Sequence, residues 1–186
     1  MVRARAGAVR PEPRTMLALH SPEARPAPGT PVATLCRSQD IVADPAAAYR
    51  LICEVEKWPV WLSFLTSARR LQPGPLRLGS EVAIRGAIPG AAEELYEVDA
   101  FLEGHIVSLV GAYSVRRRID FRVERIGPRL RVVARLHYPA YGGILGSLLD
   151  RMTARRRLDS ALGESLVHLK GLVEYQGAPE EALTDW

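Results

Sequence analysis

The sequence predicts an α+β fold in which a curved antiparallel sheet of six or seven strands wraps around one long C-terminal helix. Residues 80–138 are a run of short alternating apolar segments separated by Gly and Pro turns, a pattern typical of antiparallel strands. Residues 144–175 change to helical apolar spacing, which predicts a single long helix. A lone antiparallel sheet must bury one face, and this helix is the only large element available to cover it.

The individual elements follow in order along the chain. We expect a first strand over residues 33–42, after which Asp44 and Pro45 predict the N-cap and first residue of a helix over 45–55. Pro59 is expected to break this helix, with a second short helix at about 60–65. The expected strands then span residues 80–87, 93–102, 105–111, 113–125 and 130–138. The final helix is expected over residues 144–175, ending before Gly177 and Pro179.

Composition divides the chain into an arm, a domain and a tail. Residues 1–31 contain six prolines and few large apolar side chains, so we predict a disordered N-terminal arm. An organellar transit peptide and a true start at Met16 are the alternatives for this segment. Residues 32–176 form the predicted domain, and 177–186 a C-terminal tail. With 47% hydrophobic and 25% charged residues, the composition is that of a soluble globular protein.

Charge and cysteine content exclude several classes of protein. The net charge is +4, and residues 1–32 contribute five arginines against two glutamates. The excess therefore belongs mostly to the arm, and we expect no nucleic-acid partner. No apolar run approaches the ~18 residues of a membrane span. Two cysteines and four histidines without ligand spacing predict a cytoplasmic protein with no metal and no cofactor.

Two segments of the chain resemble a known family. Residues 41–49 (IVADPAAAY) and 58–61 (WPVW) resemble the opening of helix-grip proteins, the START, Bet v 1 and polyketide cyclase/dehydrase superfamily. Residues 141–149 (YGGILGSLL), leading to 166–170 (LVHLK), resemble the terminal helix of that family. The resemblance covers residues 33–175. It implies a central cavity that binds or transforms a hydrophobic small molecule, such as a lipid, isoprenoid or polyketide-like compound.

Strand parity selects Arg117 as the leading candidate for a ligand contact. Alternate residues of a strand share a face, so the strand from Tyr113 places Arg117 in one row with Ile119 and Phe121. Arg116, Arg118, Asp120 and Arg122 form the opposite, solvent-facing row. A guanidinium in an apolar row needs a partner or water. It either anchors a carboxylate, phenolate or carbonyl of a ligand, or lies at the strand rim, or pairs with a buried carboxylate.

Other side chains are expected around the same cavity. We predict a cavity between sheet and helix of roughly 300–1,000 Å³. The side chains expected to line it or contact the ligand are Tyr96, Tyr113, Val115, Phe121, Val132, Tyr138, Trp61, Met152 and Arg155. The alternatives are that the tyrosines belong to the core, that the tryptophans fasten the short helices to the sheet, and that Arg155 extends outward to solvent.

Two functions compete at this stage. No Glu, Asp or His is assigned to the inner faces, so binding or carrying a hydrophobic ligand leads over a polyketide aromatase/cyclase reaction. Residues 115–135 are rich in arginine and residues 81–103 in acids. This segregation indicates either neutralisation across strands or a basic surface for an acidic protein or an anionic membrane. A monomer and a dimer are both compatible with the pattern.

Overall fold

The computed structural model describes residues 32–87, 92–139 and 148–176. The predicted arm, the predicted tail and residues 144–147 of the expected final helix lie outside this part. In chain order the elements are β1 (Val32–Ile41), α1 (Pro45–Cys53), a 3₁₀ turn (Val55–Lys57), α2 (Trp58–Trp61), β2 (Leu65–Arg70), β3 (Glu81–Gly86), β4 (Glu93–Leu102), β5 (Ile106–Gly111), β6 (Ser114–Ile126), β7 (Arg129–Pro139) and α3 (Leu148–Gln176).

The strands form one antiparallel sheet with the order β1-β7-β6-β5-β4-β3-β2. The sheet is curled into a half-barrel, and its concave face carries most of the buried side chains. The predicted fold class is confirmed. The expected alternation of inward and outward side chains is confirmed in β6 and β7. Ile119, Phe121 and Val123 of β6 are buried, as are Leu130 and Val132 of β7.

The C-terminal half of α3 closes the hydrophobic core. Its Leu162, Leu166, Leu169 and Val173 are buried, and the helix packs on β1 and the two short helices. Two contacts fix its direction along β1. Arg37 pairs with Asp159, and the N–H of Val42 donates to Glu174 Oε1 at 3.0 Å. Later residues of α3 therefore lie beside later residues of β1.

The short helices follow β1 directly. Asp44 caps α1 as predicted, with Oδ1 accepting from the Ala46 N–H at 3.1 Å. The predicted second short helix is confirmed, but its bounds differ: α2 begins at Trp58 and ends at Trp61, whereas 60–65 was expected. Pro59 lies in the first turn of α2, where its missing N–H costs nothing. The proline therefore starts this helix.

The strand β2 was not predicted. Its sequence is Leu-Thr-Ser-Ala-Arg-Arg, and only Leu65 and Ala68 are buried. An edge strand with two small or aliphatic anchors gives little alternation to detect. Pairing with β3 holds it in place.

The concave face of the sheet has two ends, the α1 end and the Glu94 end. The α1 end carries Phe101 and Leu102 of β4, where the Tyr49 hydroxyl of α1 donates to the Leu102 carbonyl at 3.2 Å. The Glu94 end carries Glu94 of β4, Gly111 of β5 and Arg117 of β6. Tyr138 of β7 is also at this end, paired with Ala33 of β1.

Candidate functional site

An aromatic cluster fills the interior toward the α1 end. Trp58 and Trp61 of α2 each contact Phe121 of β6 edge-on, with ring centroids 5.4 and 5.5 Å apart. All three side chains are at most 1% exposed. Edge-to-face packing of this kind stabilises the core beyond area burial. The short helix that carries both tryptophans is thereby fixed against β6.

The two indole N–H groups differ in how they are satisfied. Trp58 Nε1 donates to the Ile52 carbonyl at 2.8 Å, which fastens α2 to α1. Trp61 Nε1 is fully buried and has no hydrogen-bond acceptor among the described residues. A buried donor without a partner costs free energy, so Trp61 is the one tryptophan of this pair with a hydrogen bond still to offer.

A polar cluster occupies the Glu94 end. The Tyr96 hydroxyl donates to Glu94 Oε2 at 3.1 Å, and Arg117 Nη1 forms an ion pair with Glu94 Oε1. The carboxylate of Glu94 thus joins Tyr96 on its own strand to Arg117 on β6, two strands away. We call these three residues the polar triplet.

Local strand geometry brings the polar triplet together. Glu94 and Tyr96 are two residues apart on β4 and therefore share the concave face. Gly111 of β5 lies opposite Tyr96, so no side chain stands between β4 and β6 there. In β6, residues 115–117 fall between the pairs Ser114–Gly111 and Arg118–Val110. Such a bulge re-aims the adjacent side chain, here Arg117.

Burial gives the polar triplet its electrostatic character. Tyr96 is 8% exposed, and burial raises the pKa of its hydroxyl to about 12. It therefore remains a protonated donor at neutral pH. The side chains of Arg117 and Glu94 are 22% and 31% exposed. Because one cation faces one anion, the triplet adds no net charge to the concave face.

The structure brings only some of the predicted site residues together. Tyr96 and Arg117 meet at the Glu94 end, where Tyr138 is half-buried. Tyr113 was predicted to point inward, but this is wrong because it lies in the turn before β6 and is 70% exposed. Arg155 is exposed on α3 and does not continue the buried apolar stripe. The predicted lining residues Val115 and Met152 have side chains outside the described part of the structure.

Glu94 is the site residue that the sequence analysis missed. The strand over residues 93–102 was correctly predicted, with Tyr96 and Val98 facing inward. The same parity extended by two residues assigns Glu94 to that face. The position was overlooked because Glu93 and Glu94 open an acidic strand end, where carboxylates are normally solvated.

A second polar network lies on the convex face. Ser108 of β5 is 2% exposed, and its Oγ lies 2.8 Å from Asp99 Oδ1 and 2.6 Å from Asp120 Oδ1. Arg118 donates to Ser108 Oγ at 3.1 Å and to Asp99 Oδ2 at 2.5 Å. His137 Nε2 is 3.3 Å from Asp120 Oδ2. The network links β4, β5, β6 and β7 across the outside of the sheet.

Some arginines of residues 115–135 are neutralised by acids on other strands, in the pairs Arg118–Asp99 and Arg131–Asp40. Arg131 of β7 forms two hydrogen bonds with Asp40 of β1, at 2.6 and 3.0 Å.

Within residues 32–87, 92–139 and 148–176, no three His, Cys, Asp or Glu side chains are grouped as metal ligands. No helix in these ranges is long and apolar enough to span a bilayer.

Comparison with known proteins identifies the sequence family. The family described as "Polyketide cyclase / dehydrase and lipid transport" matches residues 33–174. A search of curated sequences finds no significant match.

Solved structures share the fold at low sequence identity. TTHA0849 from Thermus thermophilus has a TM-score of 0.61 and 18% identity, covering 78% of this chain and 100% of that chain. A START superfamily protein from Mycobacterium smegmatis has a TM-score of 0.57 and 14% identity, covering 77% and 98%. The Zhui aromatase/cyclase from Streptomyces sp. R1128 has a TM-score of 0.58 and 12% identity, covering 78% and 95%. At these identities the structural similarity shows the fold alone.

Proposed function

Because the chain belongs to the polyketide cyclase/dehydrase and lipid transport family, we propose that it binds an uncharged hydrophobic small molecule between the concave face and α3. The family's functions divide into carrying a ligand and transforming one. The concave side chains of the middle strands, such as Val98, Leu109 and Ile119, are apolar and buried. Such a surface recognises ligands through the hydrophobic effect.

The observation that carries this proposal is the internal neutralisation of Arg117. A free guanidinium in an apolar space would select a carboxylate or phenolate ligand. Here Glu94 already supplies the anion, so a charged ligand would have to displace it. A neutral hydroxyl or carbonyl group can instead add to the polar triplet without separating the pair. We therefore assign a neutral ligand with a polar group at the Glu94 end.

Trp61 supplies a second polar point. Its buried N–H has no acceptor in the described part of the chain, and a ligand carbonyl would satisfy it. The proposed ligand is then a fused-ring or chain compound with oxygen functions near both ends of the concave face. This description covers isoprenoid and polyketide-like molecules better than simple fatty acids, whose single polar group is anionic.

A pair of fluorescent probes tests the proposal. Phenylnaphthylamine and anilinonaphthalene sulfonate differ by one sulfonate group, so their affinities separate apolar recognition from anion recognition. We expect the neutral probe to bind more tightly to the full chain. The assignment would be contradicted if the sulfonate probe bound more tightly than the neutral probe and if Arg117→Met abolished that binding without lowering the stability of the protein. Tyr175→Phe serves as control, because Tyr175 is 75% exposed.

Catalysis is the second candidate function, and the contact between Tyr96 and Glu94 favours it. The Glu94 carboxylate can take the α-proton of a β-ketone chain. The Tyr96 phenol, turned away from Glu94, then gives its proton to the carbonyl oxygen that becomes a hydroxyl as the new C–C bond forms, and Glu94 returns the proton to Tyr96. Incubation with a linear poly-β-ketone and mass spectrometry of the products tests this candidate. We expect a change in product distribution that Tyr96→Phe abolishes. Products identical to those formed without protein would leave ligand binding as the function.

We further propose a cytoplasmic location. Cys36 and Cys53 are both free thiols, as is usual in a reducing compartment. Localisation of a fluorescent fusion in the native cell tests this, and a secreted or periplasmic signal would contradict it.

A further inference from the structure

The first described side chains of α3 project away from the domain. Residues 153–157 are all exposed, whereas Leu162, Leu166 and Leu169 further along the helix are buried. Five consecutive residues cover more than one full turn of ~3.6 residues. No side of the helix is therefore covered over this turn.

This projecting turn is strongly basic. Arg155, Arg156 and Arg157 follow one another, and none has an ion-pair partner in the described ranges. The acid one turn away, Asp159, is paired with Arg37 of β1. We call these three arginines the basic turn.

The basic turn lies at the Glu94 end of the sheet. Asp159 is beside Arg37 and Glu174 beside Val42, so α3 runs toward the start of β1 as residue numbers fall below 159. That start pairs with the end of β7, where Ala33 is opposite Tyr138. The basic turn and the polar triplet therefore share one end of the domain.

The same end of the domain exposes apolar and aromatic side chains. The acid of the polar triplet is already in an ion pair. Tyr113 in the β5–β6 turn is 70% exposed, and Val32 at the start of β1 is 46% exposed. Glu94 is paired with Arg117, and its neighbour Glu93 is paired with Arg69 at 2.6 Å. Among the described side chains, the charge left unpaired at this end is positive.

We propose that the Glu94 end docks on an anionic phospholipid bilayer through the basic turn. Arginines in a cluster bind anionic headgroups, while tyrosine and small apolar side chains favour the interface between headgroups and acyl chains. An acidic protein partner would need only the positive charge of the arginines. The exposed Tyr113 and Val32 at the same end of the domain favour a bilayer. In this orientation the polar triplet faces the membrane surface. The docking does not depend on which ligand binds in the interior.

Vesicle co-sedimentation of the full chain tests the docking. We compare vesicles of phosphatidylcholine alone with vesicles that also contain phosphatidylglycerol. Each arginine near an anionic surface strengthens binding about five-fold, so the triple variant Arg155→Gln/Arg156→Gln/Arg157→Gln is expected to weaken it by at least ~10-fold and up to ~100-fold. All variants retain the arginine-containing residues 1–31, whose contribution then cancels.

The matched control is Arg122→Gln/Arg125→Gln/Arg129→Gln. These three arginines are also exposed and lack ion-pair partners in the described part of the chain, but they lie toward the α1 end. We expect the control to bind anionic vesicles as the unmodified chain does. Equal losses in both triple variants, or no preference for anionic over neutral vesicles, would overturn the proposal. Binding to an acidic protein without any binding to vesicles would overturn it as well.

Discussion

Replacing Arg117 by methionine tests the role of the ion pair with Glu94. Losing one partner of a fully buried pair costs about 3–5 kcal/mol of stability, and an exposed pair is worth about 0–1 kcal/mol. The side chains of Arg117 and Glu94 are 22% and 31% exposed, between these cases. We therefore expect Arg117→Met to lower the free energy of unfolding by about 1–3 kcal/mol, because the carboxylate keeps only the hydrogen bond from Tyr96.

Urea unfolding of a double-variant cycle measures this cost. Glu94→Gln alone removes the carboxylate charge that faces Arg117, and the combined variant removes both charges. We expect the combined loss to be smaller than the sum of the single losses by about 1–2 kcal/mol. Arg131→Met is the control, because its pair with Asp40 is 41% and 38% exposed and is worth at most about 1 kcal/mol. A loss for Arg117→Met no larger than this control, with no coupling to Glu94, would refute the reasoning.

Three further predictions follow from other parts of the molecule. Burial raises the pKa of Tyr96 to about 12, above the unfolded value near 10. As pH rises, this tyrosine therefore ionises first in the unfolded chain, and the free energy of unfolding falls between about pH 10 and 12. Tyr96→Phe should remove up to about 1.4 kcal/mol per pH unit from the slope of the unfolding free energy against pH. An unchanged slope would contradict the assignment. Ser108→Ala should destabilise the domain by about 1–3 kcal/mol in urea unfolding, because Asp99 and Asp120 lose the hydroxyl between them; a neutral result would show that the network is not stabilising. A chain beginning at Val32 should melt within a few degrees of the full chain in calorimetry, and a large drop would show that residues 1–31 contribute to the fold.

The architecture could be predicted because each signal was local. Asp44 followed by Pro45 starts a helix by capping, and β4 is bounded by residues 93–102 as its alternation indicates. The covering helix then followed from the need to bury one face of the sheet. The elements that failed were those with weak alternation, such as β2, or those decided by tertiary contacts. Trp58 and Trp61 hold α2 against Phe121 across the core, and no short-range pattern reports that contact.

The site was only half predictable. Parity identified the row of Arg117 and the row of Tyr96, but pairing between strands decides which residues of the two rows meet. The bulge in β6 and the lack of a side chain at Gly111 let Arg117 reach Glu94, and neither feature is visible in composition or period. The exposed position of Tyr113 arises because β6 begins one residue later than the alternation suggests, which leaves Tyr113 in the turn.

The indole N–H signals test most directly the claim that the interior binds a neutral oxygen-bearing ligand. In a proton–nitrogen correlation spectrum of the labelled full chain, Trp61 and Trp58 report from adjacent positions. Trp61 Nε1 has no acceptor in the described residues, and Trp58 is already bonded to Ile52. Titration with the neutral naphthyl ketone Prodan should move the Trp61 signal downfield as a new hydrogen bond forms, while Trp58 stays near its place. Saturation with Prodan that leaves the Trp61 signal unmoved would contradict the account.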